Sequence, residues 1–224
     1  MNDGRMEADM NDTQLQRDVL NEIEWEPSVH AAEIGVAVKG GVVTLNGTVG
    51  SYAEKLAAEI AAKRVRGVLA VTGEIEVKLP SSLKRTDAEI ARAVLDALGW
   101  NVELPHDKVK VKVEDGWVTL EGELDWAFQR DAAMRSVRYL TGVRGMTSLV
   151  TIKPRVETST IKRRIADAFR RNAELDAGRI WVDAIGGRVA LYGRVHSWQE
   201  HEQATQVAWS APGVVVQNNL TVEP

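Results

Sequence analysis

The sequence repeats one unit three times, and this internal repetition constrains the fold more than any other feature. Three related segments mark the unit: GGVVTLNG at 40–47, DGWVTLEG at 115–122 and GGRVALYG at 186–193. Two sets of glycines recur with the same separations, 75 and then 71 residues: Gly47, Gly122 and Gly193, and Gly67, Gly142 and Gly213. A fixed spacing of this kind predicts three copies of one folding unit.

Each copy has the hydrophobic pattern of helix, strand, strand, helix, strand. The first helix places apolar residues at i, i+4 and i+8, which is one stripe of a 3.6-residue period: Leu15, Val19 and Ile23; Ile90, Val94 and Leu98; Ile161, Ile165 and Phe169. Capping boxes are predicted at four helix starts: Thr13 with Gln16, Thr86 with Glu89, Ser51 with Glu54 and Ser197 with Glu200. The sequence therefore predicts an α+β protein of three tandem αββαβ domains, each a three-stranded mixed sheet with two helices packed on one face.

The alignment of the copies sets the expected domain boundaries. Residues 1–11 are expected to be a disordered tail, followed by domains at 12–80, 85–154 and 157–224. A unit of about 70 residues buries a small core and is marginal by itself. Since the linkers LPSSLKRT and KPRVETS are short, neighbouring domains are expected to dock.

Composition excludes several classes of function. The formal net charge of −4 argues against a nucleic-acid binder, which needs a basic footprint. The absence of cysteine excludes disulfides and thiolate chemistry. No apolar run reaches the roughly 18 residues of a membrane span. The polar, acidic start MNDGRMEADMNDTQ lacks a secretory signal, which predicts a cytoplasmic protein as written, or a periplasmic one if an export signal has been removed.

The sequence offers no catalytic site, no metal site and no cofactor motif. His196 and His201 are five residues apart, whereas metal-binding helices favour a spacing of four. The recurrent glycines lack the arrangement of a phosphate-binding loop, so Gly47, Gly67, Gly122, Gly142, Gly193 and Gly213 are interpreted as turn and helix-cap residues.

Outward-facing residues supply two candidate surfaces. Strand alternation directs Trp117, Trp181 and Tyr192 to the helix-free face of their sheets, where they suit docking within the chain, a partner subunit, a ligand or a membrane. The helix IKRRIADAFRR is far more basic than its two counterparts. Its five cations, Lys162, Arg163, Arg164, Arg170 and Arg171, form either a solvated face or a contact with anionic lipid.

The αββαβ order, the strand motif GGVVTLNG, the glycine 20 residues later and the alanine-rich helix between them resemble the BON domain (bacterial OsmY and nodulation). The resemblance covers nearly the whole chain. It implies a non-enzymatic module of bacterial envelope or osmotic-stress proteins that binds phospholipid surfaces or related ligands. The expected partner is an anionic membrane surface or an envelope protein. The alternative is an interaction scaffold or self-associating adaptor that uses the exposed sheet faces, with a homo-oligomer as one outcome.

Overall fold

The structure is a computed structural model, and it describes residues 3–153, 158–172, 175–185, 188–211 and 214–223. Its elements follow the predicted order in all three repeats. Repeat 1 consists of helix α1 (Asp3–Trp25), strands β1 (Ile34–Lys39) and β2 (Val42–Val49), helix α2 (Tyr52–Arg64) and strand β3 (Ala70–Val77).

The other two repeats have the same five elements. Repeat 2 consists of α3 (Asp87–Trp100), β4 (Val109–Glu114), β5 (Trp117–Leu124), α4 (Ala127–Val137) and β6 (Gly145–Ile152). Repeat 3 consists of α5 (Thr158–Arg171), β7 (Ile180–Ile185), β8 (Arg188–Val195), α6 (Trp198–Trp209) and β9 (Val215–Val222).

Every repeat has its own three-stranded sheet, in the orders β1-β2-β3, β4-β5-β6 and β7-β8-β9. β1 and β2 pair antiparallel and β2 and β3 pair parallel, and β4, β5 and β6 repeat this arrangement. The first strand of each repeat is therefore an edge strand. The predicted α+β fold of three mixed sheets is confirmed. Repeat 1 makes up most of one compact unit, and repeats 2 and 3 make up most of a second.

The predicted apolar stripes form the cores. In repeat 1 the stripe of α1 packs with Val43 and Leu45 of β2 and with the small residues Ala58 and Ala62 of α2. Alanines at the helix surface let the backbone of α2 approach the sheet closely. In the second unit the Arg130 guanidinium of α4 lies 4.5 Å from the ring centroid of Trp209 at the end of α6, a cation–π distance that links repeat 2 to repeat 3.

The glycines at 47, 122 and 193 are not hairpin-turn residues. Each lies inside the second strand of its repeat, with φ of +124°, +149° and +129°. An added Cβ would lie 2.0–2.1 Å from the main-chain oxygen of Glu33, Lys108 or Arg179, just before the first strand. The close approach of two backbones, together with a φ that favours glycine, explains their recurrence.

The glycines at 67 and 142 also differ from the helix caps that the sequence suggested. α2 ends at Arg64 and its cap residue Val65 is extended, so Gly67 (φ +96°) lies in the loop that follows the cap. At Gly142 (φ +92°) an added Cβ would lie 2.8–3.0 Å from side chains of Arg85 and Ile90. This loop therefore needs glycine because it packs tightly near the start of the repeat's first helix. The third member of the set, Gly213, lies outside the described residues.

Of the capping boxes predicted for the first helices of repeats 1 and 2, only the one in repeat 2 forms. Thr86 and Glu89 form the predicted capping box at α3. Thr13 does not cap a helix, because α1 begins at Asp3 and includes residues 3–11, for which the sequence suggested a disordered tail. The side chain of Gln16 instead donates a hydrogen bond of 2.7 Å to the main-chain oxygen of Val36 on β1.

In repeats 1 and 2 the hairpin turn is held by an aspartate of the preceding helix. Asp12 accepts hydrogen bonds from the main-chain N–H groups of Gly40 and Gly41. Asp87 accepts from those of Asp115 and Gly116 in the same way. All four turn residues have positive φ, as a two-residue type I′ turn requires. The carboxylates therefore satisfy amides that the tight turn leaves without strand partners.

Candidate functional site

The five cations predicted as a lipid-binding group all lie on the exposed side of α5. Ile161, Ile165 and Phe169 are buried, which fixes the orientation of the helix on its sheet. At 100° per residue, Arg163 and Arg170 project away from that buried stripe, and Arg164 and Arg171 lie on one flank. Lys162 lies on the other flank, next to β7.

Carboxylates partner two of these cations. Lys162 Nζ lies 3.7 Å from Oδ1 of Asp183 on β7, and Arg170 Nη1 lies 2.8 Å from Oδ1 of Asp167. Within the described part of the chain, Arg163, Arg164 and Arg171 have no carboxylate partner. The face of α5 turned away from the core therefore has uncompensated positive charge.

Trp181 and Tyr192 are neighbours on the helix-free face of repeat 3. They are cross-strand partners in the β7–β8 register, and both side chains are about half exposed or more. The equivalent pair is Gly35 and Asn46 in repeat 1, and Lys110 and Glu121 in repeat 2. Repeat 3 thus has an exposed aromatic pair where repeat 1 has glycine and asparagine and repeat 2 has two charged residues.

Trp117 contacts partners within its own sheet. Its ring lies over Gly145 of the adjacent strand, since an added Cβ there would be 2.3 Å from Trp117 Cζ3. Its Nε1–H donates a hydrogen bond of 2.9 Å to Oγ1 of Thr147. An aromatic ring that covers a glycine on a neighbouring strand stabilises the pairing, so its half-exposed ring does not by itself require a partner.

The two candidate groups of repeat 3 meet at one groove of about 470 Å³ between α5 and the edge strand β7. Lys162 and Arg170 border it from the helix, and Trp181, Asp183 and Tyr192 border it from the sheet. Phe169, Ile180 and Val182, whose side chains are buried, contribute apolar surface. The groove therefore combines positive charge, aromatic rings and an apolar floor.

A buried carboxylate that sequence reasoning treated only as a helix cap is a structural clamp. Glu54 Oε1 accepts hydrogen bonds of 2.8 Å from the main-chain N–H of His30 and from its ring Nδ1, and Oε2 accepts from the N–H of Gly50. Burial raises the pKa of Glu54, but these hydrogen bonds outweigh burial and hold the pKa below its ordinary value. Glu200, at the equivalent position of repeat 3, is also buried and accepts from the N–H of Asp176.

Sequence reasoning also missed a pair of exposed tryptophans. Trp25 and Trp100 end the first helix of repeats 1 and 2, and their exposed fractions are 83% and 87%. Their recurrence 75 residues apart was the available sign. In repeat 3 the equivalent position is Arg171, so the helix ends in positive charge instead of an indole ring.

Metal-ligating clusters and membrane-spanning helices are both absent from the described residues. No group of three or more histidine, aspartate or glutamate side chains is placed to hold a metal ion in the residues that the structure describes. Among the helices of that part of the chain, none combines the length and apolar character needed to cross a bilayer.

The repeats and their sheets define a tandem array of three small α+β modules. The model of the BON domain family matches residues 11–78, 86–154 and 157–224. These three matches cover nearly the whole sequence, and the chain belongs to the BON domain family.

Comparisons with individual proteins add less. None of the curated proteins matches this chain. Two solved structures of CdsD, described as a structural protein of the type III secretion system of Chlamydia trachomatis, match at 16% and 14% sequence identity. They cover 94% and 93% of this chain, and 93% and 96% of their own chains, each with a TM-score of 0.26. At that score the likeness carries no argument about this chain.

Proposed function

We propose that the protein is a non-enzymatic binding module that attaches peripherally to anionic phospholipid surfaces through α5 of repeat 3. The carrying observation is the set of exposed cations on the face of α5 that points away from the core. Since Ile161, Ile165 and Phe169 are committed to the core, the helix cannot also insert its apolar side into a bilayer. The contact is electrostatic and lies at the membrane surface.

The magnitude is sufficient for weak, reversible attachment. Each basic residue near an anionic surface contributes about 1 kcal/mol, so four arginines contribute about 4 kcal/mol, or roughly a thousandfold in partitioning. Screening beyond about 8 Å at physiological ionic strength makes this attraction sensitive to salt. The equivalent helix positions in repeats 1 and 2 have too few cations to do the same.

The test is co-sedimentation with liposomes that contain or lack anionic lipid, over a salt series. The variant Arg163→Gln, Arg164→Gln, Arg170→Gln, Arg171→Gln removes about 4 kcal/mol of attraction, so its binding is expected to fall by roughly a thousandfold. Its matched control changes Arg17, Arg92, Lys110 and Lys112 to glutamine. That control has the same net charge and keeps α5 intact, so it is expected to bind like the wild type.

Two results contradict the proposal. Wild-type protein that fails to sediment with anionic liposomes at low salt removes membrane attachment altogether. Equal losses in the two glutamine variants would assign the binding to overall charge and not to α5.

The second candidate is an interaction scaffold, and the exposed Trp181–Tyr192 pair favours it. Exposed aromatic pairs are typical anchors of protein interfaces. Analytical ultracentrifugation of the wild type and of a Trp181→Ala, Tyr192→Ala variant tests self-association. A concentration-dependent oligomer that is lost in the variant supports the scaffold, and a monomer at all concentrations contradicts self-association.

A further inference from the structure

We propose that the groove between α5 and β7 binds an extended acidic peptide, which adds a strand to the free edge of the repeat 3 sheet. This inference is independent of membrane attachment, and it gives the interaction scaffold a partner of defined chemistry. It rests on the backbone of β7, on an internal comparison with repeat 1 and on the charges of the groove.

The hydrogen-bonding pattern shows which main-chain groups of β7 point away from β8. The N–H of Arg194 donates to the main-chain oxygen of Arg179, one pair beyond Ile180 and Gly193 in the antiparallel register. Hydrogen-bonded and non-hydrogen-bonded pairs alternate along such a ladder. Trp181 and Asp183 therefore bond to β8, whereas the N–H and C=O groups of Ile180, Val182 and Ala184 point to the open edge. The N–H of Ala184 already donates a hydrogen bond of 3.0 Å to Oδ1 of Asp183.

Repeat 1 shows that this edge takes a hydrogen-bond donor from the groove side. Val36 is the equivalent of Val182, and its outward oxygen accepts the side-chain N–H of Gln16 at 2.7 Å. The equivalent of Gln16 in repeat 3 is Lys162, which instead pairs with Asp183. Among the residues that the structure describes, no side chain donates to the main-chain oxygen of Val182 as Gln16 does to that of Val36. Repeat 3 therefore has a strand edge that can accept main-chain partners.

The chemistry of the groove selects an acidic segment. Lys162 and Arg170 border its helix side, and Trp181 and Tyr192 offer apolar contact on its sheet side. Its only carboxylate among the described lining residues, Asp183, is already neutralised in part by Lys162. Main-chain hydrogen bonds to β7 give affinity and alternate side chains give specificity, as in other cases of strand addition.

The test uses the full chain and the capped peptide acetyl-Glu-Val-Glu-Val-Glu-Val-amide, which has the same length as β7, six residues. Binding is followed by NMR chemical shifts and by hydrogen exchange of the β7 amides. We expect saturable binding that slows exchange of the main-chain N–H of Val182. Two N-methylated peptides, methylated at odd or at even positions, are expected to differ sharply, because only one set of peptide N–H groups faces β7.

A pair of protein variants separates the strand edge from simple charge. In Lys162→Gln the new amide can reach Val182 as Gln16 reaches Val36, so peptide binding is expected to fall by about tenfold, the equivalent of about 1.4 kcal/mol. Arg163→Gln removes the same charge on the side of α5 away from the groove and is expected to change binding by less than about twofold. Circular dichroism checks that both variants are folded.

Several outcomes overturn the inference. These are an absence of saturable binding at millimolar peptide, equal binding by the two N-methylated peptides, or equal losses in Lys162→Gln and Arg163→Gln. Anionic vesicles that protect the same β7 amides while the peptide does not bind would assign the groove to lipid and also overturn it. Membrane attachment through Arg163 and its neighbours is measured separately by sedimentation, so either proposal can fail without the other.

Discussion

Gly122→Ala is expected to unfold repeat 2 selectively, since two independent features of this position exclude a side chain. Gly122 pairs with Val109 in the β4–β5 register and has φ of +149°. An alanine Cβ at this position would lie 2.1 Å from the main-chain oxygen of Lys108.

The cost follows from these two features. A residue with a Cβ in this region of backbone space costs about 1–3 kcal/mol. The contact cannot be relieved by rotating a side chain, because both atoms belong to, or are fixed by, the main chain. Either β4 moves away from β5 or Gly122 changes conformation, and both responses weaken the pairing at the start of β4. We expect a total loss of about 3 kcal/mol or more in the free energy of unfolding of this repeat, which is large for one substitution.

The assay is urea unfolding, in which hydrogen exchange of peptides from repeat 2 reports the unfolding of that repeat alone. A local probe is needed because three repeats need not unfold in one transition. Gly99→Ala is the matched control in the same repeat. Gly99 lies in α3 with no atom within 4 Å of an added Cβ, apart from its own chain neighbours and helix backbone. Since glycine costs about 0.5–1 kcal/mol relative to alanine inside a helix, this control is expected to stabilise α3. Unchanged unfolding of Gly122→Ala would refute the argument.

Two further predictions concern side chains that stabilise single repeats. Glu54→Gln is expected to cost about 1–3 kcal/mol, since an amide cannot accept from all the donors around both carboxylate oxygens. Because the folded pKa of Glu54 lies below its unfolded value of about 4.3, this stabilisation is complete above that pH and is lost as the pH falls through the folded pKa. Denaturant titrations should show that the difference in free energy of unfolding between wild type and Glu54→Gln is smaller at pH 3 than at pH 7. An equal difference at the two pH values would contradict the stabilising role of the Glu54 carboxylate. Trp117→Ala should lower the stability of repeat 2 by about 1 kcal/mol in monomeric protein, and an effect confined to associated protein would indicate an interface residue instead.

The parts of the fold that sequence predicts are those that depend on local periodicity. The stripe Ile90, Val94 and Leu98 is buried as expected, because a helix places residues four apart on one face whatever surrounds it. The outward direction of Trp181 and Tyr192 follows in the same way from strand alternation. Whether those outward residues bind anything stays a prediction, since alternation determines direction and not partners.

The features that sequence did not predict depend on how separate segments meet. Gly122 is of a residue type common in turns, but glycine is needed there because the main-chain oxygen of Lys108, 14 residues earlier, approaches it closely. Glu54 has the position of a capping residue, but its main donors come from His30 in a distant loop. Long-range contacts of this kind leave no periodic trace in the sequence. The two halves of the α5–β7 groove were each singled out, but their meeting depends on how the helix packs beside the edge strand.

The edge strand of the sheet differs among the three repeats, and this difference bears on where strand addition is expected. In repeat 1, Gln16 covers the edge oxygen of Val36, and in repeat 2 the edge strand alternates lysines with valines. Both devices discourage pairing with another strand, since a covered or charged edge is a poor template. β7, with the sequence IWVDAI, has no such cover on Val182 among the described residues, and its one charged residue, Asp183, is paired with Lys162. The open edge of repeat 3, beside a basic helix and an aromatic pair, is therefore the edge at which strand addition is predicted.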